Sequence, residues 1–380
     1  MILRLKGSEL LNMQYRNIES WSDLPIASYQ GNETHDSVLE YVDDDPPLVR
    51  LKESSYKLLE CCTFEYYYTE IQSQTEFDPA RIKEFIANHN VMRGGNCTLM
   101  SNPEEFLAAG YHIVVLKSSD GQIIGTIFSR AHRIANITAG CTTFLVVHKN
   151  LRGMKIAMML IKTMINFGLG SGIKAGYHII DRIKSSCALS LKVFLRPIDV
   201  YATLRTRHQI PHDIMRTQQV AEYYDRDPDN IICDHSTFSD FLSLTNDHLN
   251  EIIWTPTQDE LRSLSKNSSF HLRVVLSSDA NPIGVFMLYV LEVSIAGEIV
   301  KCGWLMFMKA LKDHRVEALE QIINYCKKLD LPYLLMHEIG DLSQDVLEEV
   351  LAYDTQTHDV LDWYNLHAPT ELSQIHIPLL

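Results

Sequence analysis

The sequence repeats one strand-turn-strand pattern, and this repeat constrains the possible folds more than any other feature. Residues 114–125 read VVLKSSDGQIIG, and residues 274–284 read VVLSSDANPIG. Each copy leads from an apolar run through a Ser-Ser-Asp turn into a second strand that starts at Ile-Gly, which predicts a β-hairpin. Two copies predict an internal duplication. The alternative is two unrelated hairpins that share their turn chemistry.

The duplication divides the chain into a first half over residues 51–210 and a second half over residues 211–380, after a lead-in over residues 1–50. Each half carries an amphipathic helix after its hairpin, over residues 156–167 and 316–328, because apolar residues recur there at three and four positions. Alternating strand and helix segments indicate an α/β or α+β architecture. The lead-in is polar and ends in Asp-Asp-Asp-Pro-Pro, which excludes helix at that point.

Composition excludes several classes of protein. The formal net charge of -14 argues against nucleic acid or an anionic membrane surface as the main partner, since both select for basic faces. No apolar run approaches the roughly 20 residues that a membrane span requires. The start of the sequence also lacks the long apolar stretch of a secretory signal, so we expect a cytoplasmic protein. The eight cysteines show no zinc-ligand spacing, so we expect free thiols and no metal site.

The segment with the clearest chemistry is TTFLVVHKNLRGMKIA at residues 142–157. An apolar strand leads through a basic loop into a helix start, where the first N–H groups have no intrahelical partner and favour an anion. Arg152 and Lys155 add positive charge, and Gly153 and Ala157 allow a phosphate to approach the backbone. The alternative is an ordinary strand-to-helix connection with solvated basic residues.

The pattern Arg-x-x-Lys-x-Ala resembles the pyrophosphate loop of N-acetyltransferases, in which coenzyme A lies across the helix start. With its flanks, the run FLVVHKNLR at residues 144–152 is similar to the Phe-Leu-Cys-Val-His-Lys-Lys-Leu-Arg run of protein N-myristoyltransferases. LRPID at 195–199, WSDLPI at 21–26 and WYNLHAP at 363–369 resemble further segments of that family in the same order. The resemblance covers nearly the whole chain and implies an α+β fold of two N-acetyltransferase-like halves related by a pseudo-twofold axis, with central mixed β-sheets flanked by helices.

The resemblance also implies a reaction and its catalytic groups. A long acyl chain, myristoyl in the family, passes from acyl-CoA to the amine of an N-terminal glycine. The backbone N–H groups of Phe144 and Leu145 then form the oxyanion hole, and the carboxylate of Leu380 is the base. From the residues alone, Phe144 and Leu145 could equally be core positions on a strand, and Leu380 could be a frayed terminus.

Acyl-CoA is the only cofactor-like ligand that the resemblance implies, as a co-substrate that is not permanently bound. It would contact one residue set from the lead-in, the strand and the loop: Glu19, Ser20, Trp21, Leu145, Val146, Val147, Arg152, Gly153, Met154, Lys155, Ile156 and Ala157. Trp21 could instead be a plain structural anchor.

The substrate-binding positions depart from the family pattern. Thr143 and His178 stand where the family holds the attacking amine, so the family's pattern for an N-terminal glycine is not kept at these positions. The acidic run that receives the peptide best matches Tyr67, Tyr68 and Glu70, with its aspartates replaced. The tyrosines could line a groove or simply pack together.

Three functions therefore stay open at the level of sequence. The first is a long-chain acyl-CoA:peptide N-acyltransferase, expected to act as a monomer on protein or peptide N-termini. The second is a short-chain acetyltransferase of the same superfamily. The third is a catalytically inactive relative that binds peptide or lipid.

Overall fold

The computed structural model describes residues 3–6, 40–41, 43, 62–68, 77–90, 97–100, 102–180, 189–206, 233–234, 238–246, 252–295, 298–367 and 371–380. Packing groups the chain into two units. The first comprises Met1–Leu189, Val360–Ala368 and Leu380, and the second comprises Ser190–Asp359 and Pro369–Leu379. The division falls at residue 189, whereas the sequence predicts it at 210, and residues 1–50 are grouped with the first unit.

The first unit is built on a mixed sheet with helices beside it. Its helices are α1 (Pro79–His89), α2 (Pro103–Ala108) and α3 (Ile156–Gly170). Its strands are β1 (Leu3–Lys6), β2 (Glu40–Tyr41), β3 (Thr63–Tyr67), β4 (Cys97–Met100), β5 (His112–Lys117), β6 (Ile123–Ile134), β7 (Ile137–Val147) and β8 (Ala175–Ile180). The sheet runs β1-β3-β5-β6-β7-β8, antiparallel except for the parallel pair β7–β8.

The second unit repeats this plan. Its helices are α4 (Val200–Arg205), α5 (Phe238–Asn246), α6 (Gln258–Leu264), α7 (Arg315–Lys328) and α8 (Gln344–Glu349). The remaining strands are β9 (Leu189–Pro197), β10 (Cys233–Asp234), β11 (Ile252–Ile253), β12 (Phe270–Leu276), β13 (Pro282–Ile295), β14 (Glu298–Ala310), β15 (Tyr333–His337), β16 (Tyr353–Tyr364), β17 (Leu366–His367) and β18 (Ile375–His376). The sheet order is β9-β15-β14-β13-β12-β10, with β14–β15 as the parallel pair.

Two strands of this series extend the first unit. The end of β16, from Val360 to Tyr364, pairs with β8, and β17 pairs with β2. Asn365 between them accepts a hydrogen bond from the Asp43 N–H and donates to the Asp43 carbonyl, at 2.7 and 2.8 Å. Residue 43, which belongs to the predicted lead-in, is thus held by a side chain far along the sequence.

Both predicted hairpins are present, as β5–β6 and β12–β13, and each is followed by a third strand, a 3-10 turn, a helix and a parallel strand. The glycine of each Ile-Gly pair lies under that helix. A Cβ on Gly125 would lie 2.7 Å from the Leu160 side chain, and one on Gly284 would lie 3.3 Å from the Ala318 Cβ. The repeated glycine therefore allows helix and strand to approach closely, and the predicted α+β fold of helix-flanked mixed sheets is confirmed.

Candidate active site

A bulge interrupts β7 at Phe144 and Leu145. Thr126 of β6 pairs with Val146, and Phe128 pairs with Thr143. Phe144 and Leu145 therefore oppose a single residue of β6 between those pairs. Phe144 has a φ of 46°, in the left-handed region that costs a non-glycine residue roughly 1–2 kcal/mol. Such strain persists only where the surrounding structure imposes it, and it concentrates at functional sites.

The sheet opens on the other side of the same residues. Parallel pairing of β7 with β8 ends at Thr142 and His178, although β7 continues to Val147 and β8 to Ile180. On its other edge β8 pairs with β16, from Gly176 to Ile180. Phe144 and Leu145 thus lie outside both ladders of β7, which is the interruption that an oxyanion hole on this strand requires.

A buried hydroxyl fixes the orientation of the bulged peptide. The Thr126 hydroxyl donates to the Phe144 carbonyl oxygen at 3.3 Å. The peptide bond is trans, so the Leu145 N–H points opposite to that carbonyl, away from β6 and toward the side where β7 and β8 part. No sequence pattern points to Thr126, because it lies inside an ordinary strand and its role depends on the bulge of another strand.

The loop after β7 is longer than its counterpart in the second unit. His148 N–H donates to the Ile124 carbonyl and Leu311 N–H donates to the Ile283 carbonyl, which marks the same point in both repeats. From there the helix begins after residues 148–155 in the first unit but after residues 311–314 in the second. The added residues correspond to 152–155, within the basic stretch that is predicted from the sequence to bind pyrophosphate.

The geometry of this stretch suits an anion. Gly153 and Lys155 both adopt left-handed backbone, with φ of 85° and 61°. Arg152, Gly153, Met154 and Lys155 are exposed, and among the described residues no side chain caps the start of α3. Exposed basic groups beside uncapped N–H groups are the usual components of a phosphate site.

His89, at the end of α1, contacts the base of the loop. Its carbonyl accepts a hydrogen bond from Arg152 at 2.6 Å, its Nδ1 accepts one from the Lys149 N–H at 3.3 Å, and its ring lies 4.2 Å from that of His148. Burial, followed by the charges of His148, Lys149 and Arg152, lowers the pKa of His89 to about 4. The loop therefore creates a positive potential, as an anion site should.

The lowered pKa of His89 predicts an acid-sensitive fold. In the unfolded chain the pKa of a histidine is about 6.5. Between these two pKa values the folded state therefore binds fewer protons than the unfolded state. The contribution of His89 to the free energy of unfolding is complete above about pH 6.5 and is lost as the pH falls toward 4. We expect the free energy of unfolding, measured by urea denaturation, to decline over this window, and the decline to be shallower in His89→Gln. An unchanged pH dependence in His89→Gln would assign the acid sensitivity to other groups.

The structure places the predicted substrate positions in two groups. Thr143 and His178 flank the parting of β7 and β8, since Thr143 pairs with Phe128 and His178 pairs with Thr142. Tyr67 and Tyr68 lie at β3, near the other edge of the sheet. Tyr67 is 3% exposed and donates to Glu65 at 2.5 Å.

The tyrosines near β3 form a packed cluster. The Tyr68 ring lies 6.1 Å from that of His112 and 5.4 Å from that of Tyr66, and Tyr66 stacks on Phe167 of α3 at 4.2 Å. Burial raises the pKa of Tyr66 well above its usual value. Of the two readings of this cluster, its contacts favour packing.

The other predicted ligand positions are distributed as follows. Val146 and Ile156 are buried, whereas Leu145, Val147 and Ala157 are half-buried. Leu380 is grouped with the first unit and is 3% exposed. Glu19, Ser20, Trp21 and Glu70 lie outside the described residues.

Two features are absent from the described part of the chain. None of its helices is long and apolar enough to cross a membrane. No group of three or more His, Cys, Asp or Glu residues in the same ranges could hold a metal ion.

Comparison with known proteins identifies the fold. No protein-family model and no curated protein sequence matches the chain. A crystal structure of Saccharomyces cerevisiae N-myristoyltransferase with bound myristoyl-CoA is similar at a TM-score of 0.72 and 13% identity, over 97% of this chain and 96% of that one. A second, with myristoyl-CoA and inhibitors, gives 0.73 and 12% over 96% and 94%.

A third similar structure is that of an acetyltransferase. A putative acetyltransferase from Pyrococcus horikoshii is similar at a TM-score of 0.50 and 8% identity, over 84% of this chain and 95% of that one. At these identities the likenesses establish the fold alone. Over almost its whole length, the chain has the fold of N-myristoyltransferase, a mixed sheet flanked by helices.

Proposed function

We propose that this chain transfers a long acyl group, myristoyl, from acyl-CoA to the amine of an N-terminal glycine. The observation that carries the proposal is the combination on β7 of a strained bulge, a parted strand pair and a basic loop that the second repeat lacks. The bulge supplies hydrogen-bond donors, the parting supplies room, and the loop supplies an anion site. The fold shared with N-myristoyltransferase supports the same assignment.

The loop and the helix start would hold the pyrophosphate. Arg152 and Lys155 would pair with its charge, and the N–H groups at Ile156 and Ala157 would donate to its oxygens. Leu145, Val146 and Val147 would then pair their backbone with the pantetheine arm along the unpaired edge of β7. Glu19, Ser20 and Trp21 complete the proposed acyl-CoA contacts from the lead-in.

Transfer then proceeds by direct attack of the neutral amine on the thioester carbonyl. The N–H groups of Phe144 and Leu145 would donate to the oxyanion as it forms, and loss of one such donor typically costs roughly 2.7–4 kcal/mol. The carboxylate that Leu380 carries as the last residue of this sequence would accept the amine proton. Collapse of the intermediate breaks the C–S bond and releases the coenzyme A thiolate.

A covalent intermediate on the nearest cysteine of β7 is disfavoured. Cys141 is 1% exposed, and burial raises the pKa of its thiol to about 12. A thiol with that pKa carries almost no thiolate at neutral pH, and thiolate is the nucleophilic form. Direct transfer to the amine therefore fits this site better than transfer through Cys141.

Thr143 and His178 are the proposed contacts for the attacking amine. Both lie at the point where β7 and β8 part, next to the proposed donors. Thr143→Ala is expected to raise the KM for a glycine peptide and to leave acyl-CoA affinity, measured by calorimetry, unchanged. An equal loss for both ligands would indicate general destabilisation instead of a contact with the amine.

The acyl length is tested by competition among acyl-CoA chains. If the bound group is long, affinity rises steadily from acetyl-CoA to myristoyl-CoA, because each buried methylene contributes about 0.8 kcal/mol. Equal affinity for both chains would favour the short-chain acetyltransferase. Tight binding of a long chain without transfer to any amine would favour a binding protein.

Thr126 provides a test of the oxyanion donors. Thr126→Val keeps the shape of the side chain but removes the hydroxyl that orients the bulged peptide, a hydrogen bond worth about 0.5–1.5 kcal/mol. We expect kcat to fall about two- to tenfold, with acyl-CoA affinity unchanged and with recovery in Thr126→Ser. A matched loss of kcat in both variants would mean that packing, and not the hydroxyl, is responsible.

A further inference from the structure

In the second unit a bulge lies near the corresponding part of β14, and the final segment of the chain contacts it. The bulge on β14 lies at Met306, because Met287 faces Phe307 and Leu288 faces Leu305. The Met306 carbonyl accepts a hydrogen bond from the Leu379 N–H at 3.2 Å. The final segment, residues 375–379, which we call the tail, therefore lies along this bulge.

The tail is packed closely. Ile375, Ile377 and Leu379 are at most 4% exposed, and the cavity left between tail and β14 is about 10 Å³, roughly one water molecule. The tail also pairs in parallel with β11. At Gly340 a Cβ would lie 2.6 Å from the His376 ring, so only glycine lets the tail lie so close.

A buried group of charges surrounds the same segment. Asp341 is fully buried and accepts a hydrogen bond from the Ala310 N–H at 2.8 Å. Its carboxylate lies 2.6 Å from the Arg315 guanidinium and 3.6 Å from Lys309 Nζ. His376 of the tail lies 3.9 Å from the same carboxylate and 3.5 Å from Lys309 Nζ.

These contacts occur where the two repeats are equivalent. Ala310 ends β14 as Val147 ends β7, and Arg315 starts α7 as Ile156 starts α3. The Asp341 carboxylate here engages the N–H of Ala310 at the strand end and the side chain of Arg315, the first residue of α7. At 3.9 Å from the carboxylate, His376 places the tail beside Asp341 and its partners.

We propose that Asp341 and His376 are positioning residues that hold the tail in the second unit and thereby fix the Leu380 carboxylate. This rests on the proposed function, because it concerns the placement of the proposed base. Leu380 directly follows Leu379, so a shift of the anchored segment moves the terminal carboxylate. Misplacement of a catalytic group by about 1 Å can reduce the rate about 100-fold.

The test uses the full chain with Asp341→Asn and His376→Gln, and Asp259→Asn as the control. Asp259 is an exposed acidic residue that pairs with Arg262, so the control makes the same chemical change without affecting the tail. We expect both tail variants to lose kcat about 10- to 100-fold with unchanged acyl-CoA affinity. Hydrogen exchange should accelerate at residues 375–380 and stay unchanged in α3.

Chemical rescue separates positioning from general destabilisation. In Asp341→Gly, formate can occupy the vacated carboxylate position beside the partly exposed Arg315, so formate should restore kcat in a saturable way while chloride should not. Unchanged exchange at residues 375–380 in both tail variants would overturn the role of Asp341 and His376 in holding the tail. Accelerated exchange with unchanged kcat would overturn the positioning role. Full turnover by a protein extended beyond Leu380 would instead refute the Leu380 carboxylate as the base in the proposed function. Whether Asp341 and His376 hold the tail would then be decided by hydrogen exchange at residues 375–380 alone.

Discussion

Reversing the charge of Arg152 and Lys155 together is expected to abolish acyl-CoA binding. Charge-assisted hydrogen bonds contribute about 1.5–3 kcal/mol each, so losing two weakens affinity about 100-fold or more. Two glutamates would in addition repel the pyrophosphate from the helix start. Isothermal calorimetry with myristoyl-CoA measures the effect.

The second repeat supplies the control for this experiment. Lys312 is exposed in the equivalent loop, which lacks the added residues, so Lys312→Glu should leave acyl-CoA affinity unchanged. Because Arg152 also donates to the His89 carbonyl, the single variant Lys155→Glu separates loss of anion binding from loss of that contact. Unchanged affinity in a folded Arg152→Glu, Lys155→Glu protein would place the site elsewhere.

Extending the chain beyond Leu380 is expected to abolish transfer while acyl-CoA binding persists. General-base catalysis typically contributes about 10²–10⁴-fold, and an added residue converts the terminal carboxylate into an amide. Deleting residues 377–380 should have the same effect on turnover. The measurement is the rate of coenzyme A release with a glycine peptide, alongside calorimetry of acyl-CoA binding.

The burial of the last two residues makes this experiment informative. A frayed terminus tolerates added residues, but Leu379 and Leu380 are at most 4% exposed. The matched control is a short insertion in the turn of the second hairpin, between Ser277 and Asn281. If the protein extended at its end turns over its best substrate at the full rate, the base is another group.

The fold could be predicted from the sequence because its strongest signals are local. The repeated hairpins and the helices after them follow from turn residues and apolar spacing, and the structure places α3 and α7 at Ile156–Gly170 and Arg315–Lys328. The helix-start anion loop was visible for the same reason. The structure adds that Gly153 and Lys155 of this loop have left-handed backbone conformations.

The site's finer features could not be predicted because they depend on contacts between distant residues. In the sequence Phe144 is marked only by the family resemblance, and its bulge follows from the register of β6 against β7. Thr126 acquires its role only through that bulge, and the Asp341 cluster joins a strand end, a helix start and the tail. Asp341 sits in no motif, so periodicity and turn chemistry gave no signal for it.

Transfer itself is the most direct measurement of the central claim. The purified chain is incubated with myristoyl-CoA and a peptide with an N-terminal glycine, and the masses of peptide and coenzyme are followed by mass spectrometry. We predict a peptide heavier by one myristoyl group at its α-amine, with one free coenzyme A released for each. Myristoyl-CoA that stays intact in the presence of folded protein and a panel of peptide amines would contradict it.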